Sequence, residues 1–416
     1  MALLGVREGG RRFPRGLILG AGFVLALMGG VSYAWGSFVI PLTTQFGWST
    51  AEATLPFTVF MVVFALGMVP AGRLQDRYGP RRVALAGALV FLLAYGLASL
   101  VGRLPHPLWL VATYGVLGGA GCALTYACVA PPARKWFPDR PGFAISLALA
   151  GFGLAAVLFS PLKASVLLPA WGVEGTLLLL GLLVAGLSAL AALVLRNPPP
   201  GWAPPGRPGG STARRSPLSP RGDVPPREVV RTPLFYEIWG SFALVMVGGL
   251  MAIGLLKPYG QVALGLPAGQ AAWAMSLFAL ANGLGRPLAG YLGDRFGPLW
   301  VMSVTFALQT LVFLTFPLVA VTVPTYYGAS ALLGWGYAVT LALFPAVTAW
   351  CFGPKNLGTN YGLVFTAFGM GAVGSVLGSW LFDRTGSYTP AFLLAGSAAG
   401  LSFLLTLHLK RKHGLP

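Results

Sequence analysis

The 416-residue chain is 56% hydrophobic and only 9% charged, and its formal charge is +18. An average soluble domain is about 25% charged, so this chain has too little polar surface for water, and lipid is its solvent. The excess of Lys and Arg would suit a nucleic-acid partner, but those residues gather on one side of the membrane, which makes them a mark of topology and excludes that reading.

A helix needs about 20 apolar residues to cross a hydrocarbon core roughly 30 Å thick. The first such run, 16–40, follows Arg7, Arg11, Arg12 and Arg15 in the manner of a signal peptide. It is too long for one and lacks a small-residue cleavage site, so it reads as the first span. Further runs at 52–72, 83–101, 108–131, 142–165 and 172–195 complete a first set of six. Residues 197–232, with Pro198-Pro199-Pro200 and Arg214-Arg215, form the only long polar segment, and their Pro, Gly, Ser and Arg content cannot build a core. Runs at 234–257, 269–291, 299–320, 325–350, 358–382 and 390–409 follow. The expectation is an all-α membrane protein of twelve transmembrane helices in two six-helix bundles, 1–196 and 233–416, joined by a cytoplasmic linker at 197–232. With both termini inside, the outward segments hold only Arg103, Lys163, Lys257 and Arg384, and Arg286 lies within a span. Lys163 and Lys257, near outer helix ends, could attract anions, but headgroup anchoring is the commoner role for such lysines. Cys122, Cys128 and Cys351 show no metal-ligand spacing, and His106, His408 and His413 fall in loops or the tail. No nucleophile–base pair or metal cluster can be assembled in the spans, which excludes an enzyme, and the linker is too polar to be the soluble domain of a transporter-like sensor.

The chain repeats itself. Ala71-Gly72-x-x-x-Asp76-Arg77-x-Gly79-Pro80 matches Ala289-Gly290-x-x-x-Asp294-Arg295-x-Gly297-Pro298 at an offset of 218 residues, and separately Gly119-x-Gly121 and Thr125 through Phe137 of the fourth span echo Gly334-x-Gly336 and Thr340 through Phe352 of the tenth. Gly-x-x-x-Asp-Arg-x-Gly followed by Arg81-Arg82 resembles the cytoplasmic loop signature of the major facilitator superfamily, and span count, linker and repeat extend the resemblance to the whole chain. Gly72 and Gly290 permit close helix packing, while Asp76 and Asp294 can accept hydrogen bonds at neighbouring helix N-termini and hold the cytoplasmic side closed. Arg77 and Arg295 belong to the same gate motif, although capping and headgroup anchoring would explain them equally well. The second copy reads Leu299-Trp300 where the first has Arg81-Arg82, which predicts a weaker second gate.

Arg286 faces Met68 in the repeat and Asn282 faces Phe64, so the scaffold requires neither. Arg286 stands eight residues before Asp294, or about 12 Å above that helix end, too deep to snorkel. All ten acidic residues fall in loops, tails or span ends. The simplest counter-ion is then the substrate, because a guanidinium grips a carboxylate through two parallel bonds; a structural arginine bonded to backbone carbonyls is the alternative. Asn282, four residues earlier on the same face, can orient the guanidinium or touch the ligand.

Asn282-x-x-x-Arg286-Pro287-x-x-Gly290 resembles the eighth helix of the monocarboxylate transporters and the bacterial oxalate/formate antiporter family. Tyr33-Ala34-Trp35-Gly36-Ser37-Phe38, the following Pro41-Leu42 and Lys135-Trp136-Phe137-Pro138 resemble the same groups. The resemblance implies that Arg286 binds the substrate. Asn282 replaces the aspartate of the animal transporters, and Phe368 replaces the second cation of the oxalate exchangers, which argues for a monoanion. Tyr33, Tyr126, Tyr337, Phe365 and Phe368 lie in spans that surround the central cavity of the superfamily and complete the candidate substrate set, although packing would explain each taken alone. The expected function is alternating-access transport of a small monocarboxylate such as lactate or pyruvate across the cell membrane, with a proton as coupling ion, no other cofactor, no metal and no obligatory protein partner. A formate or oxalate exchanger is the alternative.

Overall fold

A chain in lipid must bond every backbone N–H and C=O internally, so each apolar run closes into a helix. The computed structural model describes residues 6–8, 11–199 and 222–413, and its helices group into twelve spans. The first is broken, with Gly16–Gly30 and Gly36–Phe46 flanking a 3-10 turn, Val31–Ala34. The second is Thr50–Tyr78 and the third Pro80–Ala98. The fourth is assembled from Pro107–Leu110, a π-type segment Val111–Gly118, Gly119–Tyr126 and Ala130–Trp136. The fifth, Pro141–Leu162, continues through a π-type turn, Lys163–Leu167, toward the sixth, Leu168–Val194, within which Gly172 (φ 64°) breaks the helical path.

Pro233–Ala263, Ala268–Phe296, Pro298–Val319 and Val323–Phe352 are the seventh to tenth spans. The eleventh is interrupted like the first, with Leu357–Phe365 and Met370–Thr385 flanking the 3-10 turn Thr366–Gly369, and Thr389–His413 is the twelfth. By length and apolarity alone nine stretches qualify as spans among the described residues, because the fifth and sixth run together, the eleventh is split and the eighth is diluted by Gln270, its glycines, Asn282 and Arg286. One departure from an all-helical chain precedes the first span, a short antiparallel ribbon of Val6–Glu8 and Arg11–Phe13.

The repeated loop owes its shape to its last two residues. Gly79 (φ 82°) and Gly297 (φ 91°) take positive φ where the second and eighth spans end, and Pro80 and Pro298 start the next helices with a preset φ and no N–H to satisfy. Most of the 197–232 segment lies outside the described residues. Its end is docked and not free: Val224 N donates to Phe352 O at 3.0 Å and Lys355 N donates to Asp223 Oδ1 at 3.0 Å, which fastens it to the turn between the tenth and eleventh spans.

Candidate functional site

The eighth span crosses the fifth at glycines. A Cβ on Gly153 would lie 2.9 Å from the Gly283 Cα and 3.1 Å from Asn282 Nδ2, so the backbones approach closely enough for a side chain of one helix to reach the other's carbonyls. Arg286, fully buried, does so. Its NH1 donates to the Leu149 carbonyl of the fifth span at 2.9 Å and its Nε to Asn282 Oδ1 at 3.2 Å. The third nitrogen, NH2, is buried and makes no hydrogen bond among the described residues, with the Tyr126 hydroxyl beside the guanidinium. Among the described residues no carboxylate oxygen lies within 4.0 Å of this cation. The ligand-binding and the structural readings of Arg286 therefore meet in one side chain: one edge is bonded to a backbone carbonyl as a structural arginine would be, and one nitrogen is left for an acceptor from outside the chain. A buried donor without a partner costs about 1–3 kcal/mol, more when charged.

The predicted aromatics gather on this point from both halves. Tyr33 of the first span and Tyr337 of the tenth meet hydroxyl to hydroxyl at 3.1 Å across the halves. The Tyr33 ring stands edge-on to Phe152 of the fifth span, with centroids 4.9 Å apart. Tyr126 packs edge-on against Phe64 and Phe152, each at 5.3 Å. Phe365 and Phe368 stack at 5.0 Å, and both rings lie against Phe64. The hydroxyls of Tyr33, Tyr126 and Tyr337 lie around Arg286, and that of Tyr361, also buried, lies beside Tyr126. Tyr361 is absent from the sequence-derived set, yet it stands one helical turn before Phe365 on the same face, which is the signal that would have found it. The Leu149 carbonyl is backbone and carries no residue-type signal.

On the face that carries the linker, each repeated aspartate caps a helix of the opposite half. Asp76 accepts from Gly358 N at 3.2 Å and from both Thr359 N and Thr359 Oγ1 at 2.8 Å, at the start of the eleventh span. Asp294 accepts from Gly142 N at 2.7 Å and Phe143 N at 2.8 Å, at the start of the fifth. Gly72 and Gly290 make these crossings possible, since a Cβ on either would overlap the carbonyl of Gly358 or Gly142. The second copy does have one bond fewer, because Phe143 has no hydroxyl where Thr359 has one. Arg77 and Arg295 lie elsewhere, over the rings of their own neighbours Tyr78 and Phe296 at 5.2 and 5.3 Å, and Arg295 NH1 donates to Tyr291 Oη at 3.3 Å on its own helix.

Lys163 corrects an expectation. Its position in the chain puts it at the outer end of the fifth span as a headgroup anchor, but only 1% of its surface is exposed. Its Nζ points into the bundle, 3.4 Å from the Val31 carbonyl and 4.9 Å from the Phe38 ring centroid. Arg286 is therefore not the only basic residue deep in the bundle.

The family model described as Major Facilitator Superfamily matches residues 18–269 and 238–415. The oxalate:formate antiporter of Oxalobacter formigenes is 30% identical, over 94% of this chain and 90% of its own length. Monocarboxylate transporter 13 of Bos taurus is 29% identical, over 94% of this chain and 88% of its own. Among solved structures, the human organic anion transporter TETRAN matches with a TM-score of 0.70 at 15% identity, over 95% of this chain and all of that one. The Escherichia coli fucose:proton symporter matches with a TM-score of 0.66 at 16% identity, over 94% of this chain and 98% of that one. These two structures share the fold, and the sequence relatives narrow the group. The chain is a multi-pass membrane transporter of the major facilitator superfamily and belongs to its group of monocarboxylate transporters and oxalate–formate antiporters.

Proposed function

We propose that this transporter carries small monocarboxylates, lactate or pyruvate in type, in symport with a proton, by rocking residues 1–196 against 233–416 about the linker. The observation that carries the reading is the free NH2 of Arg286: a buried, anchored guanidinium without a carboxylate, lying where the fifth and eighth spans join the halves. A carboxylate would supply the missing acceptor and the counter-charge together. Tyr33 and Tyr337 would close over it, one from each half, so that occupancy is felt by both bundles. Phe368, buried against Phe365, offers no second positive charge, which favours a monoanion. Asp76 and Asp294 would hold the linker-bearing face shut, and the positive-inside distribution makes that face cytoplasmic.

A carboxylate exchanger is the second reading, favoured by the antiporter relative. Purified protein in sealed proteoliposomes separates the two with a panel of lactate, pyruvate, formate and oxalate. Symport requires accumulation of lactate under an inward proton gradient with no internal carboxylate. Uptake that occurs only against a preloaded carboxylate, whatever the gradient, would establish exchange and end the symport reading.

A further inference from the structure

Two irregularities face each other across the first and fifth spans. In a continuous α-helix Trp35 N–H would donate to Val31 O, but in the 3-10 turn it donates to Ser32 O at 3.0 Å. The Val31 carbonyl, relieved of the Trp35 amide, takes the Lys163 ammonium as a donor at 3.4 Å. Opposite it the fifth span widens into a π-type turn that begins at Lys163. Such a turn inserts a residue and shifts the helix face, a device common at functional sites. Lys163 stands ten residues beyond Gly153, where Asn282 meets the fifth span, so its backbone is about 15 Å further along the axis. Helical side chains lean toward their own N-terminus, and Nζ reaches back to Val31 O at 3.4 Å, the opposite direction to snorkelling.

That ammonium has poor company for a cation. One long bond to a carbonyl and the Phe38 ring are its only partners among the described residues. Among the described residues no carboxylate pairs with it, and the titratable groups on the elements packed against it are engaged elsewhere. The first span offers Tyr33, engaged with Tyr337, and Arg15, which pairs with Asp139 at 3.0 Å. The sixth offers Glu174, which accepts from Gln45 Nε2 at 2.8 Å. Unlike arginine, a buried lysine can release its proton. Its bond acts on the substrate site through a short path, since Tyr33 follows Val31 by two residues and meets Tyr337.

We propose that Lys163 carries the coupling proton and acts as a positioning residue for the carboxylate site; the assignment rests on the symport reading. On the side remote from the linker, the neutral amine's lone pair takes a proton from hydronium, leaving water. The resulting ammonium holds Val31 O by a charge-assisted bond and fixes the first-span break with Tyr33 in place over Arg286. On the linker side it returns the proton to water, the bond weakens and the break relaxes.

The test measures lactate counterflow at equal pH and lactate accumulation under an inward proton gradient, in the same proteoliposome preparations. Wild type must show both, and failure to accumulate would sink symport itself before Lys163 is in question. Lys163→Arg keeps a cation and a donor for Val31 O but has no proton to release. The expected result is retained counterflow, with a flattened pH profile, and lost accumulation. Accumulation at the wild-type level in this variant overturns the proposal and leaves Lys163 as a pin for the broken helix. So does equal loss of counterflow and accumulation in folded protein. If the arginine variant does not fold, Lys163→Gln, which keeps a donor for Val31 O but carries no titrating proton, decides by the same comparison: counterflow without accumulation supports the assignment, and any accumulation overturns it.

Discussion

Arg286 meets its ligand already oriented, because Asn282 and the Leu149 carbonyl fix two of its three nitrogens before anything binds. Arg286→Gln removes the counter-charge, so carboxylate binding should be lost, as read by ligand-induced thermal stabilisation. Arg286→Lys keeps the charge, but one ammonium cannot hold Asn282, the Leu149 carbonyl and a carboxylate in the guanidinium's fixed geometry. Loss of one charge-assisted bond is worth about 1.5–3 kcal/mol, or roughly 10- to 100-fold in Kd. Asn282→Ala should cost less, about 1 kcal/mol, since it loosens the arginine without discharging the site. The ligand-free Arg286 variants should also melt lower, because the bond to Leu149 ties the fifth and eighth spans together. If folded Arg286→Gln binds lactate like wild type, the carboxylate site lies elsewhere. Phe368 tests charge selectivity from the other side of the site. Phe368→Lys should turn relative affinity from lactate toward oxalate; an unchanged ratio in folded protein would mean that Phe368, stacked on Phe365, does not face the substrate.

Helix crossings set the other properties of the site, and these are legible in the sequence only in part. The spans can be read because an apolar run in lipid has one structural outcome, and the aspartates can be read as acceptors at helix N-termini because the repeat preserves Gly-x-x-x-Asp. Which helices they cap cannot be read, since a repeat shows that two positions are equivalent and says nothing about their partners in the other half. The structure supplies the pairs, second with eleventh and eighth with fifth. The missing arginine pair predicts a weaker second gate, whereas the bond that copy lacks is the one from the hydroxyl of Thr359. Lys163 escapes a reading by residue count for a related reason. Counting residues gives the depth of a Cα, but a 3-10 break and a π-type turn decide where the side chain goes. The glycine crossings give a direct test: Gly72→Ala places a methyl against the Gly358 carbonyl, so the linker-bearing face should fail to close. Accessibility of a cysteine placed on that face should rise in the variant. Unchanged accessibility would mean that the crossing relaxes without opening.

At the scale of the molecule, the two aspartates are equivalent under the exchange of halves, and each bonds one bundle to the other on the same face. A rocking mechanism therefore makes the closed state a sum of two separate latches, whose contributions should add because they share no residue. Asp76→Asn and Asp294→Asn each retain one acceptor oxygen and lose the charge at a helix N-terminus, worth about 0.3–2 kcal/mol depending on burial. The double variant should then favour the open linker-bearing face by up to about 4 kcal/mol, enough to invert a population held closed by a smaller margin. Spin-label distances across that face report the shift, with each single variant intermediate and Asp76→Asn the larger, since it also weakens the bond to the Thr359 hydroxyl. Intrinsic affinity for lactate should change far less than in Arg286→Gln, because the latches hold helix ends and touch no ligand. Opening by one variant as complete as by both would show that a single latch controls the face. Loss of lactate binding in the aspartate variants to the level of Arg286→Gln would show that gate and site are one network, and would end the division of labour on which this mechanism depends.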